Sequence, residues 1–264
     1  MAVLWFPVLA KAISTALVVL LASALAEAFG PFWGALIASL PVSAGPAYVF
    51  LAMQHDGDFV AASALSSFAA NAATGLFLIV YARSARRLAL WQALGAAVAT
   101  WLAASLLIHQ IAWTPATAIL LNLIVYCTGF PMLGGLAATT QRPASIPIRG
   151  WSDTPVRAAA IALFVSGVVV ASSMLGPRAT GIAAVFPVSL TSLLVIVQPR
   201  IGGAASALLA TTALRAMLGF GLALLALHLA IRPWGVATAL FVALAVSAAW
   251  SGGLLLLKTR SQAC

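Results

Sequence analysis

Residues 30–43, GPFWGALIASLPVS, return as residues 176–189, GPRATGIAAVFPVS, at an offset of 146. The same offset carries Lys11-Ala12 onto Arg157-Ala158, Gly57 onto Gly203 and Gly75 onto Gly221, with no gap across about seventy positions. Alanine matches say little in an alanine-rich chain. Matched glycine and proline say more, because each constrains the backbone. An internal repeat in a strongly apolar chain is the sequence mark of a transporter-like membrane fold.

The composition sets the class. Of 264 residues 64% are hydrophobic and 6% charged, too few charges to cover a soluble domain of this size. The chain reads as an all-α, polytopic membrane protein whose first partner is the lipid bilayer. Its net charge of +9 does not signal nucleic-acid binding, because the basic residues sit in short turns between apolar runs. Cys127 lies in an apolar run and Cys264 is the last residue, so no disulfide is expected. The first 28 residues read as a membrane helix rather than a cleaved signal. Lys11 lies inside the apolar run, and the segment is repeated in mid-chain.

A span needs about 20 apolar residues. Nine segments qualify: 7–28, 32–53, 59–82, 88–108, 116–138, 155–175, 178–198, 204–229 and 236–257. Nine spans put Arg83, Arg86, Arg87, Arg142, Arg149, Arg157, Arg200, Lys258 and Arg260 on one side. Only Lys11, Arg178 and Arg232 fall on the other. This bias makes the first side cytoplasmic, so the N-terminus faces out and the C-terminus in, in an inner (plasma) membrane. The fifth span reverses the direction of entry between the four before it and the four after it. The expected organisation is two inverted four-helix repeats: 1–110 as the first unit, 111–154 as linker helix and cytoplasmic loop, and 155–264 as the second.

Each half is similar to the GlpM-like family of small inner-membrane proteins. The likeness rests on Lys11 to Pro41 with Val18-Val19-Leu20 and Ala35-Leu36-Ile37, and on Arg157 to Pro187 with Gly181-Ile182 and Phe186-Pro187. It covers residues 10–80 and 156–228 and implies a fused tandem of that unit. It brings no catalytic residue with it.

Pro41 and Pro187 fall about ten residues into the second and seventh segments, near the bilayer middle at ~1.5 Å per residue. A proline there frees the carbonyl one turn earlier, which must find another partner or face a cavity. Gly45-Pro46, Ser39 and Ser43 lie near the first proline; Ser189, Thr191 and Ser192 near the second. Matched broken helices in inverted halves point to a midplane site, against the plain alternative of kinks whose backbone groups are re-satisfied by hydroxyls.

Arg215 lies deep in the apolar run 204–230, where an ionised side chain costs about 3 kcal/mol or more unless paired or hydrated. Its repeat counterpart is Ala69, with Asn71 and Thr74 nearby and Asn122 and Tyr126 on the fifth segment. Arg215 is therefore a candidate anchor for an anionic headgroup, the alternatives being bonds to freed carbonyls or snorkelling. The candidate substrate-binding set is Arg215, Pro41, Ser43, Pro187, Ser189, Asn71 and Thr191. Lys11, Arg157 and Glu27 read as interfacial charges, with gating or proton-carrying roles as the sharper alternatives.

His55, His109 and His228 fall at outer helix ends without metal-ligand spacing, so no metal is expected. No nucleotide loop, metalloprotease helix or nucleophile elbow is present, and four acidic residues leave little for acid–base chemistry. No catalytic residue and no cofactor is expected. The sequence thus predicts a transporter or exporter of a small solute, an anionic one if Arg215 binds it, working by alternating access. The other readings are a non-transporting scaffold or subunit, and a flippase for anionic lipid. Gly134-Gly135 and Gly252-Gly253 permit close helix contact, within one copy or between copies of a homo-oligomer.

Overall fold

A computed structural model describes residues 44–139 and 153–263. The described residues form six helices: α1 (Ala44–Gln54), α2 (Gly57–Ser84), α3 (Leu90–His109), α4 (Pro115–Thr139), α5 (Asp153–Ala184) and α6 (Val188–Ala263). Pro41 and Ser43 lie outside them, as do the first expected span, most of the second, and the long turn at 140–152.

The helices are built from local signals. Asp56 caps α2, its Oδ1 accepting the Phe59 N–H at 2.8 Å, and Asp58 adds negative charge to the first turn. At the start of α4, Pro115 stands where its missing N–H costs nothing. Thr114 and Thr117 there exchange side-chain and backbone bonds at 3.0 and 3.3 Å. Four helical stretches are long and apolar enough to cross a membrane: Gly57–Ser84, Leu90–His109, Pro115–Gly134 and Ala158–Leu254. The protein is a helical membrane protein.

The last of those stretches counts 97 residues, about 145 Å if straight, against ~30 Å of hydrocarbon. Three glycines break it. Gly176, Gly202 and Gly235 have φ of 72°, 80° and 75° with ψ near 170°, a region open essentially to glycine alone. Pro177 follows the first break directly and opens the next helix, while Pro199 and Pro233 precede the other two. A fourth interruption, at 185–187, separates α5 from α6. The segment expected to run from 178 to 198 is thus two pieces, divided at Val185-Phe186-Pro187.

Helix α2 is the hub of the bundle and packs against every other helix. It is apolar or small on all sides, which suits a helix enclosed all round. Its neighbours α3 and α4 turn Leu102, Leu106, Leu107, Leu120, Leu123 and Ile124 outward, as helices facing lipid do. Contacts along α2 give the course of the chain. Ser63, Ser67, Thr74 and Tyr81 bond in turn to Pro177, Gly181, Val185 and Gln198, so 177–198 runs in the direction of α2. Ala85, Asn71, Ala61 and Gly57 meet Gly203, Met217, His228 and Ile231, so 203–234 runs against it. The chain therefore reverses at Gly202.

Backbone approaches backbone most closely at two glycines. A Cβ on Gly181 would overlap the Ser63 carbonyl, and one on Gly203 would overlap the Ala85 carbonyl. Gly134, Gly252 and Gly253 have open space where a Cβ would stand, so these glycines make no close packing within the described chain.

Candidate functional site

A row of buried polar side chains runs along α2. Ser63, Ser67, Asn71, Thr74 and Tyr81 recur at steps of three, four or seven, so they form one broad stripe along the helix. All five are buried. In a chain this apolar each must find a partner inside the protein.

Around the interruption at 185–187 the stripe replaces lost helical bonds. The Ser67 hydroxyl donates to the Gly181 carbonyl at 2.5 Å and sits 2.6 Å from the Tyr48 hydroxyl. Thr74 Oγ1 donates to the Val185 carbonyl at 3.2 Å and accepts from Trp101 Nε1 at 3.2 Å. Phe186 then packs edge-on against Trp101 at 4.9 Å between ring centroids, and against Phe164 at 5.6 Å. Phe186 and Val185 still bond back to Ala183 and Ile182, which tightens the turn ahead of Pro187. Pro187 is buried. Just beyond it, Ser189 Oγ and Thr191 Oγ1 are buried with no hydrogen-bond partner among the described residues.

Asn71 occupies the middle of α2, fourteen residues after Gly57 and thirteen before Ser84. Its amide nitrogen faces three acceptors: Asn122 Oδ1 at 3.2 Å, the Tyr126 hydroxyl at 3.0 Å and the Met217 carbonyl at 3.2 Å. Asn122 is fixed in turn by donating to the Phe68 and Ala118 carbonyls at 2.8 and 2.9 Å. These anchors orient its oxygen toward Asn71, which sets the Asn71 amide nitrogen-inward. Asn71 Oδ1 is left buried without a partner among the described residues. An amide carbonyl so placed costs about 1–3 kcal/mol, unless a donor reaches it.

The predicted site residues thus divide. Asn71 lies at the buried centre, and Pro187, Ser189 and Thr191 lie at the interruption. Arg215 joins neither group. It is exposed, and its own carbonyl accepts the Trp250 indole N–H at 3.0 Å. A cavity of about 340 Å³ lies elsewhere again, between the start of α1 and the last two pieces of α6. Gly45, Tyr48, Phe220, Leu224, Leu240 and Leu244 are among its lining residues, and the lining is apolar. It abuts the chain just after Pro41-Val42-Ser43.

The sequence reading did not single out Ser63, Ser67, Tyr48, Trp101, Tyr81 or Gln198. The helical spacing of hydroxyls along 63–81 is a signal that could have found the first of these. Tyr81 donates to Gln198 Oε1 at 2.5 Å, tying the far end of the stripe to α6. At the opposite end His55 Nε2 lies 2.7 Å from Ser172 Oγ, whose proton goes to the Val169 carbonyl, so the imidazole is the donor. His228 Nδ1 donates likewise to the Ala61 carbonyl at 2.8 Å. Among the described residues no cluster of His, Cys, Asp or Glu could hold a metal ion. Comparison with known family models, with curated proteins and with solved structures gives no match for this chain.

Proposed function

We propose that this protein is a transporter or exporter of a small solute, built from two inverted four-helix units that rock about α2 and residues 203–234. A tandem of GlpM-like units is the origin proposed for the halves. The observation that carries the reading is a reciprocity of contacts. Gly57 meets Ile231, and Ala85 meets Gly203. Adding the repeat offset to Gly57 and Ala85 gives Gly203 and Ile231. Exchanging the halves therefore turns one contact into the other, as a two-fold axis lying between antiparallel equivalents demands. Asn71 and Met217, equivalent by the same offset, touch near that axis.

The solute path would use the interruption at 185–187, whose repeat counterpart, residues 39–41, lies outside the described residues. Broken backbone is tolerated at membrane depth where protein buries it or where it lines a cavity. The apolar cavity beside Gly45 and Tyr48 favours a solute with a hydrocarbon body. Asn71 Oδ1, Ser189 Oγ and Thr191 Oγ1, which are among the buried polar atoms without a partner among the described residues, would orient it. Arg215, being exposed, adds no charge to this interior.

The test needs no known solute. Single cysteines at Ser189 and Thr191, in a chain with Cys127 and Cys264 replaced by serine, are treated with membrane-impermeant maleimide in sealed vesicles of each orientation. Alternating access predicts labelling from both faces. Labelling from neither face leaves a non-transporting scaffold, and the carrier reading fails.

A further inference from the structure

We infer that Arg215 is a binding site for the phosphate of an anionic phospholipid, held on the outer surface of the protein. On the piece 203–234 the residues Ala207, Ala210, Leu214, Gly221 and Leu224 turn inward. Arg215 does not. It shares an outward stripe with Leu222 and Leu229, which follow at intervals of seven and are 43% and 55% exposed. That stripe is the surface a lipid-facing helix presents.

The depth is wrong for a free charge. Arg215 is thirteen residues from the reversal at Gly202, about 20 Å along the helix, against ~30 Å of hydrocarbon. A guanidinium does not lose its proton, so the charge must be met by something else. Among the described residues no carboxylate lies at that depth. Asp56 and Asp58 stand at the start of α2, Asp153 opens α5, and Glu27 reads as interfacial. A second copy of the chain would bring the same carboxylates at the same levels, so pairing between copies does not solve the problem. A phospholipid phosphate does. It lies at the boundary of the hydrocarbon, where a guanidinium reaches it by snorkelling while the bilayer thins locally, and its oxygens match the guanidinium fork.

Trp250 completes the surface. Its indole donates to the Arg215 carbonyl and lies over Gly219, where a Cβ would overlap the ring. Tryptophan is apolar in body and polar at one edge, and this one gives its polar edge to the Arg215 backbone. Arg215 and Trp250 together make a polar notch in an otherwise hydrocarbon face. The inference holds for a carrier and for a scaffold alike.

The experiment titrates the purified full chain in detergent with phosphatidylglycerol and reads bound lipid by native mass spectrometry. Arg215→Gln should lose one retained lipid, or weaken that binding step about ten-fold. Arg215→Lys, a point charge without the fork, should fall between. Millimolar inorganic phosphate should not displace the lipid. Equal retention by the Gln variant and the parent protein overturns the site, and displacement by inorganic phosphate overturns the lipid as its occupant. A second measurement uses the unaltered protein. Phenylglyoxal modification of Arg215, read by peptide mass, should drop several-fold in phosphatidylglycerol nanodiscs relative to phosphatidylcholine nanodiscs. The same extent in both overturns the proposal.

Discussion

The side-chain amide of Asn71 donates to the carbonyl of Met217, and their separation of 146 positions is the offset at which the sequence repeats itself. By that offset each residue is the other's sequence equivalent. Their contact joins α2 to 203–234 at the centre of both, and Asn122 and Tyr126 of α4 bond to the same amide. Replacing Asn71 by Ala strips these acceptors of their donor in a place water does not reach. A loss of about 1–3 kcal/mol is expected, read as a fall in unfolding midpoint in detergent. Part of the loss is offset because the unpartnered Asn71 Oδ1 goes too. A cycle with Asn122→Ala should therefore show coupling of ~0.5–3 kcal/mol between the two sites. Simple additivity would mean that the amides do not share the bond described.

Glycine placement gives a sharper contrast. Gly181→Ala and Gly203→Ala each drive a methyl into a backbone carbonyl, of Ser63 and Ala85 respectively, and backbone cannot swing aside as a side chain can. Each should cost about 1–3 kcal/mol by forcing helices apart. Gly134→Ala and Gly252→Ala meet nothing within 4 Å and should be neutral or slightly stabilising, since alanine favours helix. Thermal unfolding of the four variants side by side checks the ordering. Comparable effects at all four positions would contradict the packing.

The sequence shows the breaks more readily than the contacts. Gly176, Gly202 and Gly235 fall at the expected turns 176–177, 199–203 and 231–235, because glycine beside proline is a local signal whose meaning survives any tertiary context. Asn71, Asn122 and Tyr126 stand out because amides and phenols are scarce in apolar runs. Arg215 stands out for the same reason, but rarity does not tell a buried charge from an outward one. That distinction depends on which face of 203–234 meets α2, and with glycine, alanine and leucine on every side the helix carries no amphipathic stripe to announce it. Trp101 is likewise silent in the sequence. It becomes a partner of Thr74 and Phe186 only through the crossing of α3 over α2.

Thr74 holds the interruption in place. Its hydroxyl proton goes to the Val185 carbonyl while its oxygen accepts from Trp101. Thr74→Val keeps the shape and removes both bonds, leaving a carbonyl and an indole N–H buried without partners. The expected cost is about 1–3 kcal/mol. Thr74→Ser, which keeps the hydroxyl, should recover most of it. If Val and Ser behave alike in denaturant unfolding, the hydroxyl is not what secures residue 185.

Pro187 sets stability against movement. It denies the chain one N–H, and its ring crowds the carbonyl one turn back, so the helix cannot run on from Ala184 into Val188. Pro187→Ala lifts both restrictions. A helix continuing through 185–187 gains backbone bonds but draws the Val185 carbonyl away from Thr74 and Phe186 away from Trp101. The variant should unfold at a higher temperature than the parent, by up to about 1 kcal/mol if alanine's helix preference outweighs the two lost contacts. In the cysteine-labelling experiment at Thr191, the proposed alternating access requires that the same variant be reached from one face only, because straightening 185–187 removes the hinge that proposal needs. A variant that unfolds earlier, yet still labels from both faces, would mean that the interruption belongs to the packing around Phe186 and not to the proline.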